Sequence, residues 1–442
     1  MVSIPSIKAF PAGRMTHTAR NWDHCLDQAA LSDIGSRRLN NQDSQAVVLA
    51  SGPEKWRRRG HLFMVADGMG AHAAGELASK LATDTIPLTY HKLNDRAPPD
   101  ALREAIEDTN RIIHARGEAS GDFRGMGTTA SVLVLLPQGA LIAHVGDSRV
   151  YRLRQGHLEQ LTFDHSLVWE LRAAEKTAGR KVPDYVPKNV ITRSLGPNPT
   201  VQIDLEGLFS IEVGDVFLLC SDGLSGQVSD EEIGKVLCCL PTEEAVRSLA
   251  DLANLRGGPD NITVVVAGVT GPELTEREAT DSEHSRGSGP ASVAGWVVCG
   301  VLALAALGFA VAAQMLGAFW LGIGAAACGV GGVVAAVFAS TLQKAEPVAI
   351  YEFDGQPLGK GPYANCRCMP DALFANELAG MAIDLRQAAE QERWPIDEAH
   401  FNDLVGQAAE AVSSRDYAVA VRQYCRAISY LFARRRAQCE RT

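Results

Sequence analysis

Residues 61–70 read HLFMVADGMG: five apolar residues, Leu62 to Ala66, run straight into an aspartate and a glycine. Such a run is strand-length and buried, and Asp-Gly is the punctuation that stops it. The same arrangement returns at 216–223, VFLLCSDG. Further β-branched runs lie at Ser131–Leu135, Ala140–Ile142 and Ile262–Val266, each bounded by Gly, Asp or Pro. Helical spacing appears between them. In 99–116, Leu102, Ile106, Thr109 and Ile113 share one face, and 73–82 sets Glu76 and Lys80 at i,i+4. Strands come in adjacent pairs and helices in adjacent pairs, unlike the strict alternation of a doubly wound fold. The pattern predicts an α+β domain over 26–271, with antiparallel sheets and helices packed outside.

Outside that domain the composition changes twice. The whole chain has 442 residues, 46% hydrophobic and 21% charged, with net charge −10. These values exclude a disordered chain and disfavour a generic nucleic-acid-binding surface. Residues 272–290 are polar and rich in Ser, Gly and Glu, as a linker is. Between Arg286 and Lys344 there is no charged residue. A bilayer span needs about 20 apolar residues, so 292–340 is expected to form a transmembrane hairpin of two helices turning near Gln314–Gly317. Two spans return both flanks to one side, and the N-terminus lacks the apolar core of a secretory signal. The reading is therefore a membrane protein with both flanks in the cytoplasm and its ten cysteines as thiols. Residues 345–442 are expected to be a small C-terminal domain, helical in its second half at 400–412 and 416–434. There Tyr417, Ala420, Tyr424, Ala427 and Ile428 make one apolar face, at a spacing that resembles half of a tetratricopeptide repeat. A single unit cannot bury that face itself, so it needs a partner protein or a neighbouring surface.

The chemistry lies in acidic clusters. Asp67 and Asp222 end apolar strands, Asp147 lies just beyond another, and Asp260 stands immediately before one. Strand ends at adjacent sheet positions converge, so four carboxylates are expected at one edge. Like charges about 4 Å apart repel by about 4 kcal/mol even at an effective dielectric of 20. Hard divalent cations relieve this, because Mg²⁺ and Mn²⁺ prefer carboxylate, carbonyl and water oxygens. The glycine after Asp67 lets a main-chain carbonyl approach the ion. Two such ions can acidify a water and neutralise a phosphoryl group under attack. Arg38, with Arg37 beside it, offers paired donors for phosphate oxygens and lies just ahead of Asp43.

Taken in order, SDIG (32–35), Arg38, NQD (41–43), VADGMGAH (65–72), GMGTT (125–129), HVGDSRVYRL (144–153), LTFDHSL (161–167), ITRSLG (191–196), LLCSDGL (218–224) and PDNITVVV (259–266) resemble one family. It is that of the PPM-type (protein phosphatase 2C-like) metal-dependent Ser/Thr protein phosphatases, in the form common in bacteria, here with a C-terminal membrane anchor. The resemblance covers 26–271. It implies an antiparallel β-sandwich flanked by helices on both sides, and hydrolysis of phosphoserine and phosphothreonine in proteins. Two Mn²⁺ or Mg²⁺ ions would be held by Asp67, Gly68, Asp222 and Asp260, with a third, weaker ion at Asp147. Asp43 would stand beside the metal shell, and Arg38 would bind the phosphate. A metal-bridged water would be the nucleophile, without a phosphoenzyme. The partners implied are Ser/Thr-phosphorylated proteins and a cognate Ser/Thr kinase, with the membrane held through 292–340 and a protein partner for the helical tail.

Two departures stand out. Met69 occupies the position where many eukaryotic relatives carry a histidine, so the general acid is unassigned, and Ala71 replaces a glycine. The segment 166–190 resembles the flap of bacterial members, an element beside the site. No Cys is followed six positions later by Arg, and neither a phosphate-binding P-loop nor a zinc helix is present. The remaining alternative is a membrane-anchored scaffold that binds phosphoproteins with little catalysis.

Overall fold

The computed structural model describes residues 22, 24–71, 73–178, 186–187, 190–275 and 358–439. Along the phosphatase-like region the elements are β1 (Leu26–Asp33), β2 (Asp43–Val48), α1 (Pro53–Arg59), β3 (His61–Met69), α2 (Ala74–Lys92), α3 (Pro98–Glu118) and β4 (Gly127–Thr128). They continue as β5 (Ala130–Leu136), β6 (Gly139–Val145), β7 (Arg149–Arg154), β8 (His157–Gln160), α4 (Leu167–Ala178), β9 (Asp204–Phe209) and β10 (Val216–Cys220). Then come α5 (Asp222–Ser225), α6 (Asp230–Cys239), α7 (Thr242–Leu255) and β11 (Ile262–Val269). The C-terminal segment adds β12 (Ala364–Arg367), α8 (Ala372–Gln391), α9 (Glu398–Ser413) and α10 (Tyr417–Cys439).

The strands form two sheets, ordered β1-β11-β10-β7-β8-β12 and β2-β3-β5-β6-β9, with β4 on β3. The named pairings are antiparallel. Alternation along single strands shows the layers. In β3, Phe63 and Val65 join the core between the sheets, while Leu62, Met64 and Ala66 pack outward. That outward face meets α2 and α3 through Ala78, Ala82, Ile86, Leu102 and Ile106. In β10, Phe217 and Leu219 face the inter-sheet core, and Leu218 and Cys220 meet α6 and α7 on the other side. A sheet covered on both faces needs apolar residues at every position, which is why these strands read as unbroken apolar runs. The β-sandwich with helices on both sides is the architecture observed.

The outer layer on the first sheet is shared. Ala420, Val421, Tyr424, Ile428 and Leu431 of α10 lie in one hydrophobic cluster with Leu237 of α6 and Leu249 of α7. The sequence sets 345–442 apart as a small domain, but its described residues, 358–439, join residues 24–275 in one compact unit. The physical reason is the apolar face of α10: α6 and α7 supply the cover that a lone helical pair lacks. Polar ties accompany the packing, with Arg426 paired to Glu244 at 2.7 Å, Arg436 to Asp251 at 2.9 Å and Lys235 to Asp371 at 2.8 Å. Strand β12 extends the first sheet beyond β8, covering what would be an open edge.

The transmembrane hairpin expected at 292–340, and the linker beyond residue 275, lie outside the described residues. Among the described residues no helix is long and apolar enough to cross a membrane. The seven cysteines whose side chains are described are all free thiols.

Candidate metal centre

All the aspartates singled out in the sequence arrive at one end of the sandwich. Asp67 sits near the end of β3, and Asp43 faces it in register at the start of β2. Strands β10 and β11 are antiparallel neighbours, so Asp222 after one and Asp260 before the other reach the same edge. Asp147 occupies the turn between β6 and β7. The carboxyl of Asp67 lies within the electrostatic reach of Asp43, Asp222, Asp147 and Asp260 together.

Local structure explains how they come so close. Gly223 follows Asp222, and a Cβ there would stand 1.9 Å from the Asn261 carbonyl oxygen. Only glycine lets the two strand ends close, bringing Asp222 against Asp260. Gly68 is equally confined: a Cβ would lie 2.1 Å from the Gly75 carbonyl oxygen at the start of α2. The first Asp-Gly glycine therefore has a packing reason for its identity. Asn261 then ties the loops together: its Nδ2 donates to the carbonyls of Ile34 at 2.8 Å and Asn40 at 3.0 Å, and its Oδ1 accepts from the Gln42 amide at 2.8 Å. This fixes the loop carrying Arg38, whose Nη2 lies 2.6 Å from Asp260 Oδ2. Arg38 remains 45% exposed at the rim, open to an incoming anion. Arg37 makes no such pair with the aspartates among the described contacts.

The Asp147 turn is held from one loop. Gly146 donates its amide to His165 Nδ1 at 3.0 Å, and the His165 amide donates back to the Gly146 carbonyl at 2.7 Å. Because Nδ1 accepts, the proton sits on Nε2, which lies 2.9 Å from Asp204 Oδ2. Arg149, at the other end of the turn, forks onto Asp164 with its Nη2 2.7 Å from Oδ2. Thr129 joins the Asp67 and Asp147 segments, accepting from the Asp67 amide and bonding the Ser148 hydroxyl, both at 2.8 Å.

The electrostatics fit a cation. Burial raises the carboxyls of Asp43 and Asp147 to about 7, with neighbouring aspartates adding to the shift. The same causes hold Asp67 well above the usual carboxylate range and raise Asp222. Three oxygens, Asp43 Oδ1, Asp147 Oδ1 and Asp222 Oδ1, are buried without a hydrogen-bond partner. A buried, partnerless carboxylate oxygen is costly, so a donor or ion is the expected occupant. The aspartates form a basin wider than a tight cage. Among the described residues, the trio of ligand atoms within 4.8 Å of one another belongs to His24, Cys25 and Glu273 instead. Mutual repulsion spreads a bare acidic basin, and ions of this class keep several waters and need few protein oxygens each.

The family model for protein phosphatase 2C matches residues 35–256. The chain belongs to this family. Among its relatives, protein phosphatase PhpP of Streptococcus pneumoniae is 35% identical over 250 residues, spanning 54% of this chain and 96% of that one. Serine/threonine protein phosphatase PstP of Mycobacterium tuberculosis is 38% identical over 250 residues, 55% of this chain and 45% of PstP. The crystal structure of PstP from that organism aligns with 56% of this chain and 100% of its own, at 37% identity and TM-score 0.48.

Ser221, Asn261, Asp164 and His165 stand inside the motifs, where the sequence alone gives them no role. Ser221 donates to Asp43 Oδ2 at 2.7 Å, and the other three fix the loops described above. Their signal was present as Asp-flanking polar residues, but the partners are distant in sequence. His72, three residues beyond Met69, lies outside the described residues.

Proposed function

We propose that this chain hydrolyses phosphoserine and phosphothreonine in proteins using Mn²⁺ or Mg²⁺. The observation that carries the reading is the set of buried carboxylate oxygens at one sandwich edge that have no partner. Asp67, Asp222 and Asp260 would hold the two principal ions, with the Gly68 carbonyl beside them, Asp43 at the margin and Asp147 at a third, weaker ion. Bound there, hard cations supply an acidified water and charge neutralisation at the phosphoryl group. Arg38, steadied by Asp260 and by the Pro259 carbonyl, grips the phosphate at the rim and orients it over the basin. Phosphorylated proteins and the kinase that makes them are the expected partners.

The same reading makes the enzyme membrane-tethered, supported by the uncharged run between Arg286 and Lys344. Two spans would keep the catalytic unit and the C-terminal helices on the cytoplasmic side. Cell fractionation with protease added to intact cells tests this: both flanks should be spared, and digestion of the C-terminal helices alone would mean one span.

The activity is tested by phosphate release from a phosphothreonine peptide by the full chain. Release should require Mn²⁺ or Mg²⁺ and stop in excess EDTA. Undiminished turnover in EDTA would sink the metal reading, and peptide binding without turnover would leave a scaffold.

A further inference from the structure

The family match ends at residue 256, yet the C-terminal segment reaches the back of the metal centre. Leu358 bridges to Gly207 in β9, and β12 pairs with β8. These are the strands on either side of the segment that contains loop 161–166 and α4. Between the two attachments lies Tyr363.

Tyr363 makes three distinct contacts. Its amide donates to the Gln160 carbonyl at 2.8 Å, its ring meets Phe163 at 5.4 Å, and its hydroxyl donates to Glu206 Oε1. Glu206 is 2% exposed, and its other oxygen accepts the amides of Lys360 and Gly361, both at 2.9 Å. The hydrogen bonds described for this buried carboxylate thus all come from the C-terminal segment. A Cβ on Gly359 would stand 1.9 Å from Glu206 Oε2, so the chain passes directly over the carboxylate.

Two short lines run from Tyr363 to the two ends of the Asp147 turn. Gln160, held through its carbonyl, donates its side chain to Asp164 Oδ1 at 2.7 Å, and Asp164 takes the Arg149 fork. Glu206 lies two residues from Asp204 on β9, and Asp204 fixes the His165 ring that accepts from Gly146. Phe163 adds a third tie, because its ring also meets Trp169 of α4 at 5.5 Å, over which Arg149 stacks.

We propose that Tyr363 is a positioning residue for the metal centre: it braces loop 161–166 from behind, and so sets the Gly146–Arg149 turn and the affinity of the cation at Asp147. The proposal rests on the reading of the centre given above. Partners one shell outside metal ligands commonly change metal affinity by about 10- to 100-fold, and Tyr363 acts through two or more intermediaries, so its effect is expected to fall below about tenfold.

The test is a Mn²⁺ titration of the metal-stripped full chain, with free Mn²⁺ counted by its electron paramagnetic resonance signal and hydrolysis of a small aryl phosphate followed in parallel. Wild type should bind tight ions and a weaker one, and Asp147→Asn should lose the weaker. Tyr363→Ala should keep the tight ions and need about three- to fivefold more Mn²⁺ to fill the weaker site, less than a direct partner of a ligand would cost. Its hydrolysis should recover at high Mn²⁺. Both variants keep the backbone amide bonded to Gln160; Tyr363→Phe also keeps the ring and loses only the hydroxyl, so it should fall between, and it carries the test if the alanine variant does not fold. Arg426→Ala, which cuts a C-terminal ion pair elsewhere, should titrate as wild type. If both Tyr363 variants match wild type while Asp147→Asn loses its ion, the proposal fails and the centre stands. If Asp147→Asn itself matches wild type, no ion depends on Asp147, and the proposal fails with that assignment.

Discussion

Buried aspartates are handled in two contrasting ways in this molecule. Under the C-terminal helices and along β7, each meets an arginine: Asp251 meets Arg436 at 2.9 Å, Asp215 meets Arg154 at 2.6 Å and Asp164 meets Arg149 at 2.7 Å. In the basin, Asp43, Asp67, Asp147 and Asp222 crowd together, and Arg38 pairs with Asp260 alone at the rim. The first setting neutralises charge with side chains and yields a fixed interface. The second leaves charge unsatisfied, which costs stability in the bare protein and creates affinity for cations.

The sharpest break of this contrast is a substitution in the basin. Asp67→Asn should cut phosphopeptide hydrolysis by at least about a thousandfold, because the lost metal site removes several kcal/mol of transition-state stabilisation. The same change should raise the thermal midpoint of the metal-free protein at neutral pH, since asparagine is neutral already and removes the cost of protonating or burying that carboxyl. Activity within tenfold of wild type would remove Asp67 from the metal centre.

The paired setting should respond in the opposite sense. Arg436→Ala strands Asp251, which is 1% exposed, and should cost about 3–5 kcal/mol in denaturant unfolding. Replacing the pair together, as Arg436→Met with Asp251→Leu, should restore most of that. A loss in the double variant equal to the single one would show that the arginine acts by packing rather than by charge.

pH separates the settings in a different way. In the metal-free protein the carboxyls of Asp43 and Asp147 are raised to about 7, so between about pH 4 and 7 these two groups bind more protons in the folded state than in the unfolded state. Their contribution to stability should therefore fall as pH rises through that window, while His61, His91 and His144, lowered by burial to about 3 to 4, pull the other way below about pH 6.5. Saturating Mn²⁺ replaces the basin protons and leaves the histidines alone, so the stabilisation by Mn²⁺ should grow as pH rises. Thermal melts at pH 5 and 8, with EDTA or with Mn²⁺, measure this. A gap between the Mn²⁺ and EDTA midpoints that narrows from pH 5 to pH 8 would contradict the basin electrostatics.

The smallest effect is expected where a pair is half exposed. Arg426 and Glu244 are 38% and 37% exposed, so Arg426→Ala should cost less than about 1 kcal/mol, and less still in high salt. A larger loss would mean that the C-terminal helices depend on this pair for docking.

The strands that carry Asp67, Asp222 and Asp260 were legible because sheets covered on both faces demand unbroken apolar runs. Strands without that signature escaped: β2, DSQAVV, is half-buried throughout, and β7, RVYRLR, carries arginines that make sense only beside Asp164, Glu159 and Asp215. Helix α8 was missed too, although Asp371 caps it by accepting the Phe374 amide at 2.9 Å. The apolar face of α10 was plain in the sequence, but its cover was not. The residues it packs against, such as Leu249, lie more than 150 positions earlier. The working parts of Asn261 and His165 were hidden for the same reason, since each acts on a backbone group far away along the chain.

By itself the sequence determined the apolar runs, the aspartates at their ends and the glycines after them, because those depend on local sterics and on which residues tolerate burial. Only the tertiary structure decided that Asp43 stands opposite Asp67, that Asp204 and His165 hold Gly146, and that Tyr363 lies behind the centre. Register and docking are settled by the sum of many weak contacts between distant segments, and no short stretch of chain contains that sum.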